Sequence, residues 1–166
     1  MNNIILNIIN ELSKTISKEM IVFMISLMPI LELRGGLIAA SILNIPYSIA
    51  AIICILGNIL PIPFILLFLK KIFSFMERWK PTNKLVKFFK DRAHKHKAII
   101  DKYGYWGLVL FVGIPLPGTG AWTGALISSV FGMDEKKSAV AIFIGILLAF
   151  VIMSIVSYGI IGNIIR

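Results

Sequence analysis

Apolar positions dominate this chain, and the polar ones that interrupt them are spaced in two distinct ways. Ile4, Ile5, Ile8, Ile9, Leu12 and Ile16 recur at helical spacing with Asn2, Asn3, Asn7, Asn10, Glu11 and Lys14 between them. This pattern predicts an amphipathic helix at a membrane interface over residues 1–19. The stretch has no basic start and no small-residue cleavage site, so the mature protein is expected to keep it. Beyond it the apolar stretches are long. Residues 20–31 run without a charge up to Glu32 and Arg34, and residues 35–69, 103–133 and 138–165 carry no charge at all.

About 20 helical residues cross the ~30 Å hydrocarbon layer of a bilayer. Residues 103–133 as one helix would be roughly 45 Å long at 1.5 Å per residue, and Gly113, Pro115, Pro117, Gly118 and Gly120 would break it near the middle. A re-entrant hairpin accommodates both facts, with legs near 105–114 and 121–132 and the Pro/Gly tip inside the membrane. The same reasoning predicts a hairpin over 20–45, with legs near 20–28 and 36–45. Residues 47–69 and 138–162 are then full crossings. Gly57, Asn58, Pro61 and Pro63 predict a kink in the first of these.

Composition agrees with a membrane setting, with 58% hydrophobic and 15% charged residues among 166. Soluble domains carry roughly 25% charged residues. One all-α membrane domain is expected, too small to enclose a wide pore, which leaves room for a homodimer. Cys54 is the single cysteine and forms no intrachain disulfide.

The net charge of +9 is concentrated: 11 of the 17 lysines and arginines fall between Lys70 and Lys102. The positive-inside rule makes residues 71–102 a cytoplasmic loop. Within it Leu85, Phe88, Phe89 and Ile99 lie among Lys84, Lys87, Lys90, Lys95 and Lys97, as in a basic helix on an anionic leaflet. No nucleic-acid partner is expected for so short a loop between membrane segments. His94 and His96 lack the ligand spacing of a metal site, and neither a metal nor another cofactor is implied.

A gap-free shift of 88 residues superposes Phe23 on Phe111, Pro29 on Pro117, Gly36 on Gly124, Ser41 on Ser129, Ala51 on Ala139, Gly57 on Gly145 and Leu60 on Leu148. Repeat one then spans 20–70 and repeat two 103–166. One hairpin plus one crossing per repeat gives the two copies opposite orientations, the inverted-repeat architecture of many secondary transporters. Gly36, Gly57, Gly124 and Gly145 read as packing positions, where small residues let membrane helices approach. Tyr103, Tyr105 and Trp106, with Trp79, read as an interfacial belt.

"PILELRGG" at 29–36, "GN" at 57–58 and "PLPGTGAWTGAL" at 115–126 resemble the bacterial and archaeal small multidrug export protein family over residues 20–162. That family is distantly similar to the DedA, or SNARE-associated, membrane proteins, whose paired re-entrant hairpins include lipid and undecaprenyl phosphate flippases. The resemblance implies a multi-pass protein of a prokaryotic plasma membrane. The chain departs from the DedA pattern in having no arginine in its second hairpin, where "GTGAWTG" stands.

Glu32 and Arg34 are the only charges inside the apolar regions, and such charges cost about 2.5–3.5 kcal/mol each on insertion scales. Two residues apart, they face opposite sides of a helix but one side of an extended segment. A non-helical tip would therefore aim both into one cavity with Pro29, Pro115, Pro117, Gly118, Thr119, Gly120, Trp122 and Thr123. In that arrangement Glu32 carries a transported proton, and Arg34 holds an anionic headgroup, or holds Glu32 when the site is empty. A permanent Glu32–Arg34 ion pair pinning the hairpins is the structural alternative. The N–H groups around Gly118 and Gly120 are expected to cradle an anion if a helix begins there.

These features predict a transporter of a small amphiphilic or hydrophobic substrate, with membrane lipids and protons as further partners. A flippase or scramblase for a lipid or polyprenyl phosphate is the first alternative, and a non-transporting scaffold the second. An enzyme is not expected, because the spans hold no paired catalytic carboxylates and no Ser–His pairing. A rival topology has all four apolar stretches crossing fully, which would put 134–137 outside the cell.

Overall fold

The computed structural model describes residues 16–68 and 97–161. The expected helix over 1–19 and the basic helix in 71–102 lie largely outside these residues, as do Trp79, His94 and His96. The described chain is helical throughout, without strands. Helix α1 is Lys18–Leu27, α2 is Glu32–Ile42 and α3 is Tyr47–Ile59. Helix α4 is Lys97–Gly113, α5 is Ala121–Val130 and α6 is Glu135–Ser154, which runs on as a π-helix over Ile155–Ile161.

Among the described residues two helices are long and apolar enough to cross a membrane, Tyr47–Phe68 and Glu135–Gly159. The first is α3 with its continuation. The backbone turns at Leu60 and is helical again over 61–68, where Pro61 cannot donate to the preceding turn. Among the apolar side chains on the outside of the fold, Ile52 is 61% exposed, Phe64 61% and Ile155 63%, the distribution expected of a surface against lipid.

Each expected hairpin is interrupted where the Pro/Gly motifs lie. The chain leaves α1 at Met28 and enters α2 at Glu32; it leaves α4 after Gly113 and enters α5 at Ala121. The second leg of the first hairpin thus starts at Glu32, earlier than residue 36. In α4 the backbone kinks at Gly104, with φ 55°, so the straight leg begins at Tyr105.

The two second legs end alike. At the end of α2, Leu43 N–H donates to Ala39, Asn44 N–H to Ser41 and Ile45 N–H to Ala40. At the end of α5, Phe131 N–H donates to Ile127, Gly132 N–H to Ser129 and Met133 N–H to Ser128. Asn44 and Gly132 both hold positive φ, 55° and 65°, the left-handed terminus that satisfies a helix's last carbonyls. The two helices long enough to cross a membrane begin just beyond, at Tyr47 and Glu135. Asp134 caps the latter by accepting the N–H of Lys137 at 2.9 Å.

Helices α1, α2 and α3 pack as one group and α4, α5 and α6 as another, and α6 with its π-helical end joins the groups through α2 and α3. The core runs through both, with Val22, Leu33, Leu37, Cys54, Leu108, Val112, Ile127, Ile142 and Ile146 buried. Close approach depends on glycine. A Cβ on Gly57 would stand 2.9 Å from that of Ser26, and one on Gly145 would stand 2.6 Å from that of Val112. A Cβ on Gly36 would collide with Ser26 Oγ, and one on Gly124 would meet Val112 at 2.6 Å.

Candidate functional site

Where a helix ends, its last carbonyls lack intrahelical partners, and where one begins, its first N–H groups do. The break between α4 and α5 contains both ends within seven residues, 114–120. Pro115 and Pro117 supply no N–H, and the capping position before α5 is Gly120, which has no side chain to cap with. The segment therefore has a surplus of acceptors at one end and of donors at the other. Both sets of groups need partners from elsewhere in the fold.

The first turn of α2 corrects both. The guanidinium of Arg34 donates through Nη1 to the carbonyls of Leu116 (3.0 Å) and Thr119 (3.1 Å). Through Nη2 it donates to the carbonyls of Val112 (3.1 Å) and Ile114 (3.2 Å) and to Thr119 Oγ1 (3.0 Å). The carboxylate of Glu32 accepts from Ala121 N–H at 3.1 Å on Oε2 and from Trp122 N–H at 3.0 Å on Oε1. One side chain closes the end of α4 and the other the start of α5. The charges match the helix dipoles, with the cation at a C-terminus and the anion at an N-terminus.

Thr119 completes the loop, its hydroxyl lying 2.9 Å from the carbonyl of Ile114 and 2.8 Å from that of Leu116. Gly120, with φ 135°, passes so close to Glu32 that a Cβ there would collide with the carboxylate. Glu32 itself is 4% exposed and holds φ 51°. That conformation costs a non-glycine residue about 1–2 kcal/mol.

Two expectations need correcting. Glu32 and Arg34 do not sit on a non-helical tip; they form the first turn of α2. They still serve one neighbour because the left-handed backbone at Glu32 takes it off the helical screw. Nor do they pair with each other as their main contact, since all seven hydrogen bonds of the two side chains reach the second break. The expected anion cradle at the start of α5 exists, but its N–H groups hold the protein's own carboxylate.

Of the other candidate residues, Thr119, Gly120 and Trp122 meet Glu32 and Arg34. Pro115, Pro117 and Gly118 shape the loop around the guanidinium, and Gly118 holds φ 83°. Pro29 lies in the first break beside Ile30, which is 92% exposed, and Thr123 is half-buried on α5. The indole Nε1 of Trp122 is buried without a partner, as are Asn58 Oδ1 on α3 and Ser129 Oγ and Ser138 Oγ at the α5–α6 corner. No cluster of three or more potential metal ligands occurs among the described residues.

Sequence reasoning missed the main partners of Arg34, because backbone carbonyls carry no residue-type signal. The prolines at 115 and 117 were the available clue to a carbonyl surplus. It also missed a polar seam between the α2–α3 corner and the end of α6 with its π-helical extension. There Ser41 Oγ donates to the Ser157 carbonyl at 2.8 Å, Tyr158 OH to the Ile45 carbonyl at 2.9 Å, and Tyr47 OH lies 3.3 Å from Ser154 Oγ.

Among the described residues, all helical, two bilayer-length apolar helices and an interlocked pair of broken helices point to the class of helical membrane proteins. Residues 32–152 match the model of the family described as "Putative small multi-drug export protein", and the chain belongs to that family. The matched region begins at Glu32, immediately after the first break, and takes in the whole of the second. No curated protein and no solved structure matches the chain.

Proposed function

We propose that the protein exports a small amphiphilic or hydrophobic substrate across the cell membrane, using two inverted repeats whose re-entrant hairpins meet at the Glu32–Arg34 lock. One observation carries this reading: the charges of the first hairpin supply the hydrogen bonds missing from the second. A lock made between halves is where alternating access would act.

Several features support a repeat. The cap bonds ending α2 and α5 agree atom for atom at the 88-residue shift, and the crossings begin at positions related by it, Tyr47 and Glu135. Neighbours follow it too, since Gly36 lies near Cys54 and Gly124 near Ile142. The division into 20–70 and 103–166 follows from this register. Opposite orientation of the two halves follows from one hairpin and one crossing in each.

Glu32 is the proposed coupling group. As a carboxylate it accepts two N–H bonds; protonated, it presents an O–H toward donors and loses the charge that strengthens both. Proton uptake then loosens the start of α5 while Arg34 still holds the end of α4. A panel of amphiphilic dyes headed by ethidium, in everted vesicles with an imposed pH gradient, tests this. Gradient-driven dye movement is expected, falling at least tenfold in Glu32→Gln. Absence of such movement with the unmodified chain across the panel would overturn the reading.

A scaffold role is the second reading, favoured by the same bonds, because Arg34 and Glu32 spend their polar capacity within the protein. It predicts no movement of any dye. A lipid or polyprenyl phosphate flippase, the reading suggested by DedA-like hairpins, would require a phosphate to displace Glu32 from the α5 N-terminus. Topology is tested separately, by labelling single cysteines at Asn3, Lys90, Glu135 and Ile165 in a Cys54→Ser background with an impermeant thiol reagent. Labelling at both termini with protection at 90 and 135 is expected of the inverted arrangement.

A further inference from the structure

We propose that the groove between α4 and α6 holds an anionic phospholipid of the surrounding bilayer, with one acyl chain along the groove and the phosphate on Lys136 and Lys137. The groove has a volume of about 370 Å³. It lies away from Glu32 and Arg34 and does not depend on the export reading. Its existence follows from the helix pair. Helices α4 and α6 close on each other where Gly145 admits Val112, and the groove occupies the turns before that, ending at Ile144.

Val109, Val140 and Ile144 give the groove its apolar length. From Lys137 to Ile144 the helix rises about 10 Å, enough for the upper part of one acyl chain. The groove opens to the outside of the fold: Trp106 on its edge is 70% exposed and Val140 59%. A bilayer chain can therefore enter sideways without the protein opening.

The mouth carries two cations on apolar stems. The stems of Lys136 and Lys137 line it, and Lys137 Nζ lies 6.0 Å from the centre of the Tyr105 ring, itself part of the lining. The nearby acids do not line it. Asp134 uses its carboxylate to accept Lys137 N–H, and Glu135 is not among the residues that line the groove. The Tyr105 hydroxyl accepts the N–H of Asp134 at 3.2 Å, fixing the corner that carries both lysines. Two ammonium groups above an apolar furrow, beside an exposed tryptophan at the start of a crossing, complement an anionic headgroup with its chain below. A cationic amphiphile would meet repulsion at the same mouth.

Native mass spectrometry of the full-length protein in detergent, with phosphatidylglycerol and phosphatidylcholine of identical chains, tests this. One phosphatidylglycerol per chain should be retained roughly ten- to thirty-fold more tightly than phosphatidylcholine, the discrimination two near-surface lysines provide. The Lys136→Gln/Lys137→Gln variant should bind the two lipids alike, and Val140→Trp should weaken both by filling the furrow. The lysines are exposed, so the charge variant should keep the melting temperature of the parent chain and isolates the headgroup contribution. Equal retention of both lipids by the unmodified chain, or unchanged preference in the lysine variant, would overturn the proposal. Displacement by glycerol phosphate, which has no acyl chain, would overturn the lipid assignment as well.

Discussion

The Glu32 carboxylate rests against the bare α-carbon of Gly120, and the two residues stand 88 positions apart at the start of their respective second legs, each with positive φ. One partner has a long acidic side chain and the other has none, so the acid fills the space that the glycine leaves. The contact joins the two breaks at equivalent points.

Gly120→Ala should therefore be among the most damaging single changes. The added methyl meets the carboxylate, and φ 135° disfavours any side chain. A loss of about 3 kcal/mol or more is expected. Gly132→Ala is the matched control: its φ is 65° but its Cβ would meet nothing within 4 Å, so only the backbone cost of about 1–2 kcal/mol applies. Thermal melts of both variants in one detergent should rank them clearly.

Glu32→Gln keeps the shape of the side chain and removes its charge. One amide oxygen can accept a single N–H well, and the NH2 then faces the other N–H donor. Charge-assisted bonds are worth about 1.5–3 kcal/mol each, and roughly 2 kcal/mol should be lost, or about 4–8 °C in melting temperature. Hydrogen exchange should localise the change to the amides of Ala121 and Trp122.

Arg34→Lys should fail as a conservative replacement. A lysine ammonium has three donors at one point, whereas the guanidinium reaches five acceptors spread from Val112 to Thr119. A cysteine at Leu116 should react with a thiol reagent several-fold faster in the lysine variant than in the parent chain. Equal rates would mean that charge, not the planar fork, holds the loop.

Gly145→Ala probes the α4–α6 contact, which meets the lock only at Val112, whose carbonyl accepts one of the five Arg34 bonds. Its Cβ would stand 2.6 Å from that of Val112 and 2.9 Å from the carbonyl oxygen of Val109, neither of which is the end of a flexible chain. A destabilisation of about 1–3 kcal/mol is expected. The Glu32 and Arg34 bonds should survive, so exchange at Ala121 and Trp122 should stay near that of the parent chain.

Prolines and glycines made the breaks legible, since Pro115, Pro117 and Gly120 cannot sit inside a regular helix without consequence. The second crossing was legible as an uncharged run, as was the interruption of the first at Pro61. The partnering of Glu32 and Arg34 was not. Sequence spacing treats a charge pair as two side chains that must meet each other or a ligand, yet here both found backbone, whose demand arises only where helices stop. The left-handed turn at Glu32 was equally hidden, because glutamate has no preference for it. Asn44 and Gly132 were better signalled, being residue types that tolerate positive φ.

Borrowed capping also sets an order of assembly. During synthesis α1 and α2 emerge before α4 and α5, and 112–122 must await Arg34 and Glu32 to complete its bonds. The amino-terminal half is then expected to act as a built-in chaperone for the carboxy-terminal half. A gene split within residues 71–96 should yield a second fragment that is degraded when made alone and rescued when the first is made with it.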